Sequence, residues 1–475
     1  MGIPAQTLTV RNDGLNITPP SETVPVFIGV SSSGTQDSVL TLTSSQDARD
    51  TLGQGPLVED LAAYLDIVGG TAYAIRSNNS TAGSNSAVSA SGGGPTVTIA
   101  GTPSDSYTAK ILIVLGGALG TATFKYYLDG LTASYSRVLT VPSGGTYLIP
   151  GTGITVTFAS GTYVAAETYS FTTTAGTYTA ANATTMLTAL QTSNKEFDFI
   201  VFSGEHADAS TVATLIAAID TRMTALANAF RYARYIISAG GSSDTATATG
   251  LAASLSDRMC AVFGEVDQVS AKPMVGWIKP TRQAAYLPCA IAAGLRTMSG
   301  SMGRVASGPI PAMFTAISHD ERVEGTLFDE RITTLRTYAE RPGGFYVTAG
   351  QLKSADGSDF DLWELGRVMD EACAVVVAKQ IEFINSSQRI QDTGILDERD
   401  ALRLEAFVQS ALDDALGGPV NDEGGRGHVS AVGYAIDRTN NVGTTRTIIS
   451  TTTITPRTTI QNVNNTIGYT ISQAL

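Results

Sequence analysis

The chain has 475 residues, a formal net charge of −13, and 43% hydrophobic against 15% charged residues. This length and apolar content predict about two to four folded domains rather than a disordered chain. The acidic balance argues against a nucleic-acid-binding protein, because phosphate binding depends on Lys and Arg.

The three cysteines, Cys260, Cys289 and Cys373, lie far apart in the sequence. Their number and spacing fit neither a disulfide framework nor a zinc motif, and they suit a reducing compartment. The N-terminal residues lack the pattern of a secretion signal, and no apolar run reaches the roughly 18 residues that span a bilayer. We therefore expect a protein that is made inside the cell and does not insert into a membrane.

The N-terminal part of the chain has an alternating strand and helix pattern. Residues 1–22 contain Pro4, Pro19 and Pro20 with little periodicity, which predicts an extended arm. The apolar run VPVFIGVSS at 24–32 predicts a buried strand. The pattern then predicts a strand at 38–42, a helix capped at Ser44 or Ser45, a helix from Pro56 to about Val68, and a strand at 71–76.

Residues 81–180 differ from their surroundings in composition. They contain only three acidic and three basic residues, and short β-branched runs alternate with turns such as Asp129-Gly130 and Gly144-Gly145. This spacing predicts an all-β, sandwich-like domain inserted into the preceding one.

From residue 181 onward, apolar strands alternate with helices. The strands are expected at FDFIVFSG (197–204), RYIISAGG and MCAVFGE, and a long amphipathic helix is expected between the first two. Alternating strands and helices predict a parallel sheet covered by helices. We therefore assign residues 23–80 and 181–345 to one discontinuous α/β domain.

The remaining residues form a predicted C-terminal α/β domain, 346–437, followed by an arm, 438–475. The domain contains a long helix capped at Ser358 or Asp359, a second helix at about Asp397–Leu416, and a strand at 428–437. Between Thr445 and Ile471, 17 of 27 residues are β-branched, and no acidic residue follows Asp437. A segment of this kind either folds back onto the body or adds to the sheet of another chain.

Catalytic signals are weak in this sequence. The three histidines do not share metal-ligand spacing, and the chain has no phosphate-binding loop and no nucleophile elbow. Glu205 and His206, with Asp208 nearby, follow an apolar strand, where α/β proteins often place ligands. An α/β hydrolase-like or metal-dependent enzyme using these residues is therefore one alternative. A surface adhesin or decoration protein built on the β insert is another.

Several segments resemble the tail sheath proteins of contractile phage tails and related injection particles. The first is VPVFIGVSSSG followed by LTLTSSQDARDTLGQGPLVEDLAAYLDIVGGTAYAIRS. The second is RPGGFYVTAGQLKSADGSDFDLWELGRVMDEACAVVV, in which Asp359, Phe360 and Arg367 match the family pattern. GHVSAVGYAID and the Thr/Ile-rich tail are similar to the closing strand and C-terminal arm of that family.

This resemblance implies an α/β (multidomain α+β) fold, with an α/β sheath core, an inserted all-β sandwich-like domain and extended N- and C-terminal β arms. It also implies a structural protein without a cofactor, which assembles as stacked rings around a tail tube and contracts to drive the tube through an envelope. Its partners would be its own copies, the tail tube protein, and baseplate and tail terminator proteins. It would reside in the virion tail after assembly in the bacterial cytoplasm.

The same resemblance indicates two sets of contact residues. A helix of the sheath C-terminal domain faces the tube, which makes Arg399, Asp400, Arg403 and Glu405 candidate tube contacts. The arms join neighbouring subunits through apolar residues, namely Val10, Ile448, Ile449, Ile454, Ile460, Val463, Ile467, Tyr469 and Ile471.

Overall fold

A computed structural model describes residues 23–461, apart from 79–80, 129–134, 207, 241–244, 269–281, 311–313, 342, 419–420 and 422–423. Its internal contacts divide the chain into two compact units, Met1–Ala374 and Val375–Leu475. The predicted arm at 1–22 and residues 462–475 of the predicted C-terminal arm lie outside the described residues. The mixed α/β architecture predicted from the sequence is confirmed.

The first unit begins with the elements that the sequence pattern predicts. They are β1 (Pro25–Gly29), β2 (Val39–Leu42), α1 (Ser45–Leu52), α2 (Pro56–Ile67) and β3 (Ala72–Arg76). Ser44 caps α1, since its Oγ accepts a hydrogen bond from the Asp47 backbone N–H at 3.1 Å. Pro56 occupies the start of α2, where its missing N–H leaves no helical hydrogen bond unmade.

Nine described strands follow within residues 81–180. They are β4 (Ser84–Asn85), β5 (Ser89–Ala90), β6 (Val97–Gly101), β7 (Thr108–Leu115), β8 (Thr123–Tyr127), β9 (Leu139–Thr140), β10 (Thr146–Ile149), β11 (Ile154–Phe158) and β12 (Thr168–Thr174). They form antiparallel sheets in the orders β10-β11-β6 and β4-β12-β7-β8-β9, with β5 also on β12. Their buried side chains form a separate hydrophobic cluster that includes Phe124, Phe158 and Tyr163.

The next elements alternate between helix and strand. They are α3 (Ala180–Thr192), β13 (Phe199–Phe202), α4 (Ala209–Asn228), β14 (Arg234–Ser238), α5 (Ala246–Gly250) and β15 (Met259–Val262). The six-stranded sheet has the order β15-β14-β13-β1-β3-β2, and its pairings are parallel except between β2 and β3. The predicted parallel sheet is confirmed.

Helices cover both faces of this sheet. Phe27 of β1 packs into one hydrophobic cluster with residues of α2, whereas its neighbours Val26 and Ile28 pack into another with residues of α3 and α4. Successive side chains of a strand point to opposite faces, so a strand buried on both faces must be apolar throughout. This explains why VPVFIGV reads as a continuous apolar run.

The rest of the first unit contains short elements. They are β16 (Glu265–Gln268), β17 (Arg282–Ala284), α6 (Tyr286–Gly294), β18 (Phe314–Ile317), α7 (Glu321–Glu324), β19 (Leu335–Arg336) and β20 (Tyr346–Val347). The small sheets have the orders β17-β16-β18 and β19-β20. The residues of α6 belong to the same hydrophobic cluster as Phe27 and α2.

The long helix α8 (Trp363–Gln380) begins later than the predicted caps, Ser358 and Asp359. The Ser358 hydroxyl instead binds Asp257, and the Leu352 N–H donates to the Asp361 carbonyl, so both groups have partners outside the helix. The contacts divide the chain within α8, whereas the sequence suggested a boundary after residue 345. Trp363 at the start of the helix is fully buried in the core of the first unit.

Among the described residues, the second unit contains the C-terminal part of α8, two further α-helices and two strands. They are α9 (Glu398–Leu412), β21 (Val429–Ile436), α10 (Val442–Thr445) and β22 (Ser450–Pro456). β21 and β22 form a two-stranded antiparallel sheet, and α9 packs against β21. No described helix of either unit is both long enough and apolar enough to cross a bilayer.

Candidate assembly surface

The residues proposed for a hydrolase-like site lie after β13 but do not form a catalytic arrangement. Asp208 caps α4, and its Oδ1 accepts the Thr211 N–H at 2.8 Å, which lowers the pKa of its carboxyl. Burial lowers the pKa of His206 to about 4, and its Nε2 has no hydrogen-bond partner among the described residues. A histidine without an oriented partner lacks the geometry of a general base.

Glu205 is an exposed residue, but its carboxyl group lies close to other protein atoms. Surrounding protein atoms desolvate its carboxyl, and the charges of Glu265 and Asp60 act in the same direction, so that its pKa rises to about 7. Asp60 is itself buried and accepts a hydrogen bond from the Tyr286 hydroxyl at 2.6 Å. In the described part of the chain, no three His, Cys, Asp or Glu side chains are grouped so that they could hold a metal.

The C-terminal hairpin places the predicted arm residue Ile454 in a small sheet and Ile449 at its end. Val432 of β21 pairs with Ile454 of β22, and the Asp437 N–H donates to the Ile449 carbonyl at 2.8 Å beyond the strand end. The Thr/Ile-rich segment therefore folds back onto its own chain over 450–456, which is one of the two outcomes that its composition allowed. Among the described residues, β22 pairs with no second strand.

The side chains of the predicted arm residues differ in exposure. Ile448 and Ile454 are half-buried, whereas Ile449 and Ile460 are 50% and 78% exposed. Large exposed apolar side chains near an unpaired strand edge are typical of an interaction surface. Outside the described residues lie Val10, Val463, Ile467, Tyr469 and Ile471.

The two acidic candidate tube contacts on α9, Asp400 and Glu405, bind partners within their own chain. Asp400 is 6% exposed and accepts hydrogen bonds from Arg389, through the backbone N–H at 2.7 Å and Nη2 at 2.8 Å. These bonds lower the pKa of Asp400 to about 2. Glu405 accepts the Ile436 N–H at 2.6 Å and pairs with Arg438.

The other two candidates, Arg399 and Arg403, lie on the exposed face of α9. The Arg403 side chain is 64% exposed, and its Nη2 donates to Gln388 Oε1 at 2.8 Å. Leu402 and Phe407 are 53% and 38% exposed on the same helix. The structure therefore places two arginines beside exposed apolar side chains, a composition enriched in protein interfaces.

Side chains from α9 also reach the edge of β21 that faces away from β22. Gln409 Oε1 accepts the Tyr434 N–H at 2.9 Å, and its Nε2 donates to the Val432 carbonyl at 3.1 Å. Arg438 Nη1 donates to the Ile436 carbonyl at 2.9 Å. Sequence reasoning missed Gln409 and Arg438, because no local pattern marks a side chain that binds a distant strand edge.

Comparison with known proteins identifies the family. Residues 7–351 match the family described as DUF2586, N-terminal domain. A search of the curated proteins finds no significant match.

Solved structures with a similar fold match nearly the whole chain. One is a chain of an extracellular contractile injection system, the PVC sheath complex in contracted state, with a TM-score of 0.52, 10% identity and 98% of each chain covered. Another belongs to the anti-feeding prophage baseplate, 6-fold symmetrised, with a TM-score of 0.53, 8% identity, and 99% of this chain and 100% of that chain covered. A third belongs to the same baseplate in contracted state, with a TM-score of 0.50, 12% identity and 98% of each chain covered.

At these identities the similarity establishes a shared fold, and it confirms at that level the resemblance seen in the sequence. Because the matched family region spans most of the chain, the protein belongs to the DUF2586 family and has a fold that also occurs in a contractile sheath complex.

Proposed function

We propose that this protein is the sheath subunit of a contractile tail or injection particle. It polymerises into stacked rings around a tail tube and contracts to drive the tube through the envelope of a target cell. The observation that carries the proposal is the fold similarity to a chain of the PVC sheath complex over 98% of both chains. The enzyme alternative is not favoured, since Asp208 caps a helix and His206 Nε2 has no hydrogen-bond partner among the described residues.

The arms are proposed to join neighbouring subunits. β22 has an unpaired outer edge among the described residues, and a strand edge of this kind accepts an extended segment of another chain. Residues 1–22 and 438–475 are the proposed arms, and the chain's own copies are the main proposed partner. Contacts that repeat head to tail produce rings or helices, which suits a tubular polymer.

The remaining assignments follow from the same proposal. Residues 81–180, with their separate hydrophobic cluster, would form an outward-facing domain inserted in the α/β domain of 23–80 and 181–345. The tail tube, baseplate and terminator proteins would be further partners. The protein would be assembled in the bacterial cytoplasm and reside in the virion or particle tail.

Electron microscopy of the concentrated full chain tests the proposal. We expect tubes built from stacked rings, because sheath subunits carry their polymer contacts in their own sequence. Dynamic light scattering at increasing protein concentration provides the matched solution measurement. A protein that remains monomeric with and without a cognate tube would contradict the proposal.

Reversing the charges of Arg399 and Arg403 tests the tube-facing role of α9. We expect the double variant Arg399→Glu, Arg403→Glu to form rings normally. It should bind the tube at least about tenfold more weakly, because an interface loses affinity when a charge faces a like charge or loses its partner. Co-sedimentation of sheath with isolated tube measures the binding. Arg426→Glu, at an exposed residue outside α9, is the control for added negative charge. Equal tube binding by the double variant and the wild type would rule out this role.

A further inference from the structure

The two long edges of the C-terminal sheet differ in how their backbone groups are satisfied. The Asp437 N–H donates to the Ile449 carbonyl. In an antiparallel pair every second residue bonds to the opposite strand, so this bond shows which residues of β21 bond to β22. Residues 431, 433 and 435 therefore bond to β22, and residues 432, 434 and 436 direct their backbone groups away from it. An edge with free groups of this kind would pair with any extended chain.

Three side chains occupy that outward edge of β21, and we call Glu405, Gln409 and Arg438 the edge cap. Gln409 accepts from one backbone N–H and donates to the carbonyl two residues earlier, as a neighbouring strand would. Glu405 accepts the Ile436 N–H, and Arg438 donates to the carbonyl of that same residue. Four outward backbone groups of β21 are thus bonded within the chain.

The edge cap is held in place by its own ion pairs. Arg438 Nη1 and Nη2 bind the Glu405 carboxylate at 2.7 and 2.8 Å, and Arg438 Nε binds Glu398 at 2.9 Å. These hydrogen bonds lower the pKa of the Glu405 carboxyl. Near neutral pH the group is therefore a carboxylate, and both of its oxygens can accept hydrogen bonds. Bidentate carboxylate–guanidinium pairs are geometrically specific, which keeps Glu405 aligned with the strand.

In the described part of the chain, no side chain binds the outward N–H groups of β22 as the edge cap binds those of β21. By the same alternation, Thr452 and Ile454 direct their N–H groups away from β21, and no described residue accepts from them. β22 ends at Pro456, which has no N–H, so the free edge is short. Over the described residues, the sheet therefore has one edge on which side chains bind four backbone groups and one edge without such a cap.

We propose that the edge cap makes strand addition one-sided, so that a segment from a second copy of this chain joins the sheet only along β22. Resting on the proposed sheath function, this inference assigns Glu405, Gln409 and Arg438 a role in specificity. A sheet that could grow from both edges would accept two incoming segments in competing arrangements and would associate irregularly. One open edge gives every subunit the same neighbour.

Residue-resolved amide exchange of the full-length soluble chain tests the closed edge. In Gln409→Met, which keeps the side-chain length but removes the amide, we expect the Tyr434 amide to exchange about tenfold faster. The Gly433 and Ala435 amides, which face β22, should be unchanged and serve as internal controls. Ser410→Ala, on an exposed residue of the same helix, is the matched control variant. An unchanged Tyr434 rate would overturn the edge cap.

Electron microscopy of Gln409→Met combined with Glu405→Met tests the consequence for assembly. We expect irregular or laterally joined aggregates at concentrations where the wild type forms only one type of polymer. If the Tyr434 amide of the double variant exchanges faster but the variant assembles as the wild type does, the proposal of one-sided strand addition is wrong. If the wild type forms no polymer while the variant aggregates, the sheath function fails and the edge cap stands, so the two failures are distinguishable.

Discussion

Deleting residues 458–475 is expected to leave a folded subunit that no longer polymerises. The deleted segment contains eight β-branched residues and no charged residue, which suits an arm that adds to the sheet of a neighbour. The fold should survive, because the cut leaves β22 and also Arg457, whose Nη1 donates to the Gly427 carbonyl at 3.0 Å. Ile460, inside the deletion, is 78% exposed and contributes little to the core.

Thermal unfolding and sedimentation of this truncation measure the two effects separately. The longer deletion of 442–475 is the informative comparison, because it also removes β22 and leaves the inward backbone groups of β21 without partners. We expect the longer deletion to lower the unfolding temperature and the shorter one to leave it nearly unchanged. Normal tubes from residues 1–457 would show that the segment is not needed for assembly.

Replacing Asp370 with Ala is expected to destabilise the first unit by about 3–5 kcal/mol, the range for breaking a buried ion pair. Asp370 on α8 is hydrogen-bonded to Arg234 of β14, whose side chain is 4% exposed, and it lies 3.7 Å from Arg258. The variant would leave the Arg234 charge buried and unpaired. Chemical denaturation of the full chain, followed through the first unit's unfolding transition, measures the loss.

An exposed ion pair in the same unit is the matched control. Arg331 contacts Asp356 at 3.0 Å, but the Asp356 side chain is fully exposed, so Asp356→Ala should cost less than about 1 kcal/mol. Gly366→Ala disturbs the buried pair by another route, because a Cβ at that position would overlap the Arg234 guanidinium. Equal stabilities of Asp370→Ala and Asp356→Ala would contradict the importance of the buried pair.

Local sequence patterns were sufficient for the main sheet and its helices. The continuous apolar runs of β1, β13 and β14 predicted strands buried on both faces, and all three pair in parallel. Ser44 and Pro56 marked the starts of two helices, because capping and proline geometry depend on only a few neighbouring residues. These features involve interactions within a few residues, which a sequence pattern records directly.

The start of α8 shows where local patterns were wrong. Ser358 and Asp359 have the residue types of a helix cap, but the helix begins at Trp363. The Ser358 hydroxyl in the segment before it bonds to Asp257, which is distant in sequence. Such long-range hydrogen bonds compete with helix formation and leave no local signal.

The candidate surface was predicted in outline, whereas the partners of its residues were not. The helix and strand that form it were expected close to their observed limits, and Arg399 and Arg403 lie on an exposed face as a solvated helix pattern suggests. The inward roles of Asp400 and Glu405 depend on Arg389 and Arg438, which the fold brings to them. Charge alone cannot distinguish a residue that faces a partner from one that binds its own chain.

The composition of the chain and the pattern of its apolar residues determined part of this structure without tertiary information. The apolar strands of this acidic, cysteine-poor chain predicted an α/β body. Its acid-free, β-branched tail predicted a segment that pairs with another strand. Only the tertiary structure decided that this segment pairs with β21 and that Gln409, Glu405 and Arg438 bind backbone groups of the opposite edge. The physical reason is that strand propensity resides in each residue, whereas the availability of an edge depends on which distant groups already occupy it.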